Sequence, residues 1–262
     1  MIVTSYKELG EYFFMFKRQN ADRLIVMSKG GLGKTSLLKE IMGCRDGYVF
    51  INTHSTPLKT YLTLYERRDA PVVFDDLDAV LRNKIFFSML KSLADTSPIK
   101  ELHYNTTSAL LANAPESFTT TSNVCLLLNE FDVHNHTLEP LLSRGFFIEF
   151  KPSRKEILKK IKSIAESQNM PDTIKYVYEY FEQHYEKIQS LSLRTFIKAV
   201  QLYTDNPKAW KERFLKEVGF DDKIIQYLLL KEWYKTDEER IQHYKWSRAT
   251  YYRIKKEQEQ ED

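Results

Sequence analysis

Short apolar runs alternate with helix-spaced stretches through the first part of the chain. Ser5-x-x-Glu8 has the form of a capping box, and Leu9, Tyr12, Phe13 and Phe16 follow at helical spacing, which predicts a helix over roughly 5–19. Leu24-Ile25-Val26-Met27 is continuous and apolar, as a strand buried on both faces should be, and predicts a strand over about 23–28. Leu37, Leu38, Ile41 and Met42 return to helical spacing and stop at Gly43. Tyr48–Asn52 predicts the second strand, and Thr56-Pro57 opens a helix carrying Leu58, Tyr61, Leu62 and Tyr65. Pro71–Asp76 predicts the third strand, about 80–94 a helix, Asn123–Asn129 the fourth strand and Phe146–Phe150 the fifth. Between the third and fourth, alternation in Ile99–Tyr104 and a return at Phe118–Thr121 predict an inserted β-hairpin. Strand patterns end at Lys151-Pro152-Ser153, and helices are predicted over 153–168, 172–188 and 192–204, with helical periodicity continuing to the end. The division expected is an α/β domain over 1–150, a helical lid over 151–218 and a helical module over 219–262.

Chemistry enters where the first strand meets the second helix, at Ser28-Lys29-Gly30-Gly31-Leu32-Gly33-Lys34-Thr35-Ser36. A strand that runs into a Gly-rich turn and out into a helix is the context of a phosphate-binding loop. Glycines let backbone N–H groups converge on an anion, and the helix N-terminus adds donors and a positive dipole end. Gly30, Gly31, Leu32, Gly33, Lys34, Thr35 and Ser36 are the expected nucleotide-binding residues. Lys34 would reach the β- and γ-phosphates, and the Thr35 hydroxyl would sit on Mg²⁺. One position departs from the G-x-x-x-x-G-K-[ST] pattern: Ser28 stands where it wants glycine.

The third strand ends in Asp75-Asp76, which delivers two carboxylates to the edge of the sheet where α/β folds bind ligands. Asp75 would hold Mg²⁺ and Asp76 would polarise an attacking water; a pair capping the next helix is the plainer alternative, a task Asp78 would also suit. The fourth strand ends in Asn129, placed to bond a γ-phosphate and that water. A short helix, Leu138-x-x-Leu141-Leu142-Ser143-Arg144-Gly145, precedes the fifth strand and ends in Arg144.

The composition, 42% hydrophobic and 29% charged in 262 residues, is that of a globular chain with a core, and no apolar run approaches a membrane span. The N-terminus lacks the build of a signal peptide. Cys44 and Cys125 form no C-x-x-C pair, and His134 and His136 have no second ligand pair at metal spacing. A reduced, cytoplasmic protein without a zinc site is expected. The net charge of +3 does not announce nucleic acid, but Arg240, Lys245, Arg248, Arg253, Lys255 and Lys256 follow one another with no acid among them.

Together these motifs resemble the AAA+ ATPases over about 23–204, with Walker A at Lys29–Thr35 and Walker B at Asp75-Asp76. The resemblance implies a sensor 1 at Asn129, an arginine finger at Arg144 acting on a neighbouring subunit, and a sensor 2 at Arg194 in Leu191-Ser192-Leu193-Arg194. It also implies a polar switch at Asn52, a five-stranded parallel sheet between helices, an all-helical lid, and a ring or filament. Taken singly, Arg144 reads better as a charge at a helix C-terminus and Arg194 as a solvated residue; it is their order relative to the strands that favours the functional reading. The segment before Asn129 loosely resembles the hairpin of superfamily-3 helicases, in which Lys100, His103 and Tyr104 would meet DNA; an ordinary structural hairpin is the equal alternative.

At the C-terminus, Thr236–Tyr244 and Ser247–Lys256 resemble a helix-turn-helix whose second helix enters the major groove. Tyr251 and Ile254 would face its core, and Arg248, Thr250, Arg253 and Lys255 would face DNA. The expected function is ATP hydrolysis, Mg²⁺-dependent, by a homo-oligomer acting on DNA: a replication helicase, a helicase loader or a transposition helper of a mobile element, working with replication or recombination proteins. Two alternatives stand beside it. Lys29 together with the loop also matches partitioning ATPases with a deviant Walker A, which act as dimers, and an ATP-dependent regulatory switch would need no translocation.

Overall fold

The apolar runs assemble into one parallel sheet. The computed structural model describes residues 1–43, 47–52, 55–76, 83–105, 114–129, 139–167, 171–218, 222–244 and 246–259. Cys44, Asp78, His134, His136, Leu138 and Lys245 lie outside the described residues. The elements are β1 (Ile2–Val3), α1 (Tyr6–Lys17), β2 (Arg23–Ser28), α2 (Lys34–Met42), β3 (Val49–Ile51), α3 (Pro57–Glu66), β4 (Val72–Asp75) and α4 (Lys84–Leu93). There follow β5 (Lys100–His103), β6 (Ser117–Thr120), β7 (Val124–Asn129), α5 (Glu139–Leu142) and β8 (Phe146–Phe150). The remainder is helical: α6 (Arg154–Ser167), α7 (Asp172–His184), α8 (Leu193–Asp205), α9 (Trp210–Glu217), α10 (Asp222–Trp233), α11 (Asp237–Tyr244) and α12 (Arg248–Glu259).

The main sheet has the order β1-β8-β2-β7-β4-β3, six strands where the sequence pattern predicts five. The addition is β1, whose two residues are too few to show a period. Backbone bonds hold it: Ile2 and Val3 pair with Glu149 and Phe150 of β8, and the Met1 ammonium donates to the Phe147 carbonyl at 2.8 Å. Every pairing in this sheet is parallel. Leu24, Val26, Val72, Val73, Phe74, Cys125 and Leu127 are buried, which accounts for the unbroken apolar runs: these strands are covered on both faces, and polar side chains enter only at their ends. Register puts Ser28 opposite Asn129 and Asp75 opposite Leu127. The loop after β2, the acids after β4 and the asparagine of β7 therefore leave the sheet along one edge.

β5 and β6 form a separate antiparallel pair, with Lys100 opposite Thr120 and His103 opposite Ser117. α1 is capped by Ser5, whose hydroxyl accepts from the Glu8 N–H, and α3 by Thr56 with Pro57 at its first position, as their sequences predict.

The described chain divides into two compact units, Met1–Glu156 and Ile157–Asp262. The second is built on aromatic side chains: Phe181, Phe196, Trp210 and Phe214 are buried, with Tyr180 edge-on to Trp210 at 5.1 Å between centroids. Tyr227, Tyr251 and Ile254 form a smaller core that joins α10 to α12. No described helix is long and apolar enough to cross a membrane.

Candidate phosphate-binding site

β2 hands the chain to α2 through five residues, and the turn depends on glycine at two of them. Gly31 has φ +81° and Gly33 φ +80°, the left-handed region in which a Cβ is strained. Gly33 is also the N-cap of α2 and gives it no side-chain cap, so the N–H groups of the first helical turn face the loop without a side-chain acceptor from the cap. A left-handed turn followed by an uncapped helix start is a nest of donors suited to an anion. Ser28, the residue that departs from the motif, is buried at the last position of β2, and its hydroxyl donates to the Lys29 carbonyl at 3.0 Å. Its φ is not positive, so glycine is not required there.

Side chains from the ends of β4 and β7 and from α2 meet beside this turn. Lys34 is buried, and its ammonium donates to Asn129 Oδ1 at 3.0 Å. The other end of the same amide, Asn129 Nδ2, donates to Asp76 Oδ1 at 3.0 Å. The Thr35 hydroxyl donates to Asp75 Oδ1 at 3.2 Å. Burial raises the Asp75 pKa above the ordinary carboxylate value, the Thr35 bond pulls it back, and the charge of Asp76 adds to the rise. Asp76 is exposed and has φ +54°, an uncommon backbone for a residue with a side chain, of the kind that gathers at functional sites. The sequence reading gives Asn129 to phosphate and water, whereas the structure shows it bridging Lys34 to Asp76. Asn52 follows β3 and is exposed; the side chain bonded to Asp76 is Asn129, not Asn52.

Arg144 stands at the opposite end of the sheet. Phe146 is level with Leu24, so Arg144 lies about six residues, on the order of 20 Å, from the level of Ser28. Its guanidinium donates to the Lys91 carbonyl at 2.9 Å and lies 3.9 Å from Asp95. Gly145 beside it permits a close approach, because a Cβ there would fall 2.6 Å from the Arg23 carbonyl oxygen. Arg194 is exposed in the first turn of α8, in the second unit.

The candidates for DNA separate into two kinds. Lys100 is not on the surface. The alternation of β5 turns Lys100 and Leu102 inward and Glu101 and His103 outward, and the Lys100 ammonium donates to the Ser122 carbonyl. Burial lowers its pKa, and its charge is spent inside the fold. His103 is exposed, 3.5 Å from Glu101. At the C-terminus, Arg248 and Arg253 are exposed, and Thr250 lies within hydrogen-bond distance (2.9 Å) of the Ser247 hydroxyl that caps α12. Lys255 is instead drawn to Asp237 at 2.7 Å, where the same carboxylate accepts from Tyr251 at 2.7 Å and from Arg240 at 3.0 Å. The Lys255 bond, chiefly, holds the Asp237 carboxyl below the usual range. Helical spacing contains this signal: Tyr251, Lys255 and Gln258 fall on one face, the one that packs.

No family model matches the chain, and no curated protein matches it. Among solved structures, a mutant of RuvB from Thermotoga maritima is similar at 15% identity and a TM-score of 0.48, covering 86% of this chain and 74% of that one. A Walker-type ATPase of Pyrococcus abyssi is similar at 12% identity and a TM-score of 0.45, covering 88% of this chain and 74% of that one. At such identities and TM-scores the likeness carries no assignment from those proteins to this chain. What the geometry itself shows is an α/β fold whose parallel sheet carries a left-handed glycine turn at a helix start beside a carboxylate pair.

Proposed function

We propose that the chain is a Mg²⁺-dependent ATPase of the AAA+ type that acts on DNA as a homo-oligomer. The observation that carries this is the pair of linkages Lys34–Asn129–Asp76 and Thr35–Asp75 beside a left-handed glycine turn. A turn that merely changed direction would not need a buried ammonium from α2 beside two carboxylates and an amide from the ends of two different strands.

In this reading the loop N–H groups and Lys34 bind the phosphates. The residues fit Mg²⁺: the Thr35 hydroxyl and Asp75 carboxylate are hard oxygen donors already bonded to each other, and a cation would favour the ionised form of Asp75 against its burial. When bound, the ion would supply positive charge to offset that of the phosphates, held by the Thr35 hydroxyl and the Asp75 carboxylate. Asp76, exposed and aimed by Asn129, is placed to orient and polarise a water. Arg144 serves a neighbouring subunit, and Arg194 belongs to the lid. A ring or filament follows from that placement of Arg144. Whether the oligomer is a helicase, a loader or a transposition helper is a choice among tasks that share this chemistry.

DNA binding is assigned to the exposed edge of α12, through Arg248, Thr250 and Arg253, with α11 and α12 as a helix-turn-helix. The burial of Tyr251 and Ile254 against Tyr227 supports a packed module that presents those residues. Replacing Arg248 and Arg253 by alanine together should weaken duplex binding and reduce the salt slope by roughly two, about 0.9 for each phosphate no longer neutralised. Lys255→Ala should lower the melting temperature instead, because it removes a partner of Asp237, and should leave the slope unchanged. Duplex affinity measured across a salt series for the full chain and both variants checks this. An unchanged slope in the double arginine variant would move DNA binding away from α12.

A further inference from the structure

α1 packs along α2, and a bond at each end ties the two together. At the far end the Lys17 ammonium donates to the Ile41 carbonyl, at 2.6 Å, near the C-terminus of α2. At the near end the Tyr6 hydroxyl donates to the Leu32 carbonyl at 2.9 Å, inside the phosphate loop itself. Tyr6 is buried, with its ring edge-on to Phe150 at 5.1 Å between centroids. Burial raises the phenol's pKa far above its ordinary value, so the hydroxyl remains a proton donor.

The place of this bond gives it a consequence. The Leu32 carbonyl and the Gly33 N–H belong to one peptide, which is planar and trans, so the two groups point in opposite directions. Fixing the oxygen fixes where the N–H aims. Glycines at 31 and 33 both occupy positive φ, and glycine moves between φ regions at little cost, so the peptides between them are held only weakly by the backbone. A bond from outside the loop must set the orientation. We propose that Tyr6 is a positioning residue for the phosphate loop: its hydroxyl holds the Leu32 carbonyl away from the anion and thereby aims the Gly33 N–H at it. The inference rests on the reading of this loop as a nucleotide site.

Tyr6→Phe removes one oxygen and keeps the ring packed on Phe150. It should weaken MgATP and MgADP about three- to tenfold, the loss of one neutral hydrogen bond. Lys17→Met removes the bond at the far end of the same helix pair and should lower the melting temperature while leaving both affinities as they are. Titration of the two nucleotides into the full chain and both variants, well below their melting temperatures, compares them. The Gly33 amide resonance should be single in the wild-type chain and broadened by exchange in Tyr6→Phe. Unchanged affinities in folded Tyr6→Phe, or an equal loss in Lys17→Met, would overturn the role of Tyr6 alone. A wild-type chain that binds neither nucleotide would overturn the reading of the loop and this inference with it.

Discussion

Lys34→Ala is expected to abolish measurable MgATP binding, and Asp76→Asn to keep binding while losing about 10²–10⁴-fold in turnover. The lysine supplies charge-assisted bonds, each worth roughly 1.5–3 kcal/mol, and its loss strips Asn129 of a partner as well. The aspartate change is milder in structure than in chemistry. The new amide oxygen can still accept from Asn129 Nδ2, and asparagine tolerates the positive φ of position 76 as well as aspartate does. What disappears is the negative charge that polarises water. Binding and hydrolysis are to be measured on the same preparations, with circular dichroism to show that each variant is folded. Undiminished hydrolysis in both would end the ATPase assignment.

The second large effect is expected at Arg144. It stands at the end of the sheet away from its own loop, farther than an arginine side chain reaches, so any action on phosphate must be on a neighbour's. Arginines in this role are worth roughly 10³–10⁵ in rate in related phosphoryl-transfer enzymes. Arg144→Ala should therefore be nearly inactive alone, and so should Asp76→Asn. Mixed in equal amounts they should recover about one quarter of the wild-type rate. In a head-to-tail assembly that fraction of interfaces would pair an intact Asp76 on one subunit with an intact Arg144 on the next. Hydrolysis rates of the two variants and their mixture, together with mass measurement, decide it. Full activity in Arg144→Ala, or in a demonstrably monomeric wild-type chain, would rule out the shared site.

The strand–glycine turn–helix unit is legible in the sequence because its signal is local: a run of glycines, an apolar strand before it and an apolar helix after it. Asp75, Asp76 and Asn129 are legible as strand-terminal polar residues, since a continuous apolar run that stops at a polar side chain marks the edge of a buried sheet. Their mutual bonds are not, because pairing order depends on crossovers that periodicity does not encode. β1 is invisible, since two residues carry no period and the strand exists only through its partner β8. Lys100 is misplaced by its sequence for a related reason. Alternation says that Lys100 and Leu102 share a face but not which face turns inward, and a lysine beside an apolar residue reads as surface until the Ser122 carbonyl is seen to receive it. Charge alone places Lys255 on DNA, although its spacing from Tyr251 already puts it on the packed face. Tyr6 gives no sign at all: on sequence it is one more aromatic in an amphipathic helix, and its hydroxyl acquires meaning only from the carbonyl it meets.

The most direct measurement is calorimetric titration of ATP, with and without Mg²⁺, into the folded 262-residue chain, beside Lys34→Ala and Thr35→Ala. The phosphate-loop reading expects saturable binding at one site per chain, lost in Lys34→Ala and dependent on added Mg²⁺ in the wild type but not in Thr35→Ala. A folded wild-type chain that takes up no nucleotide, or one that binds equally well with Lys34 replaced, would contradict it.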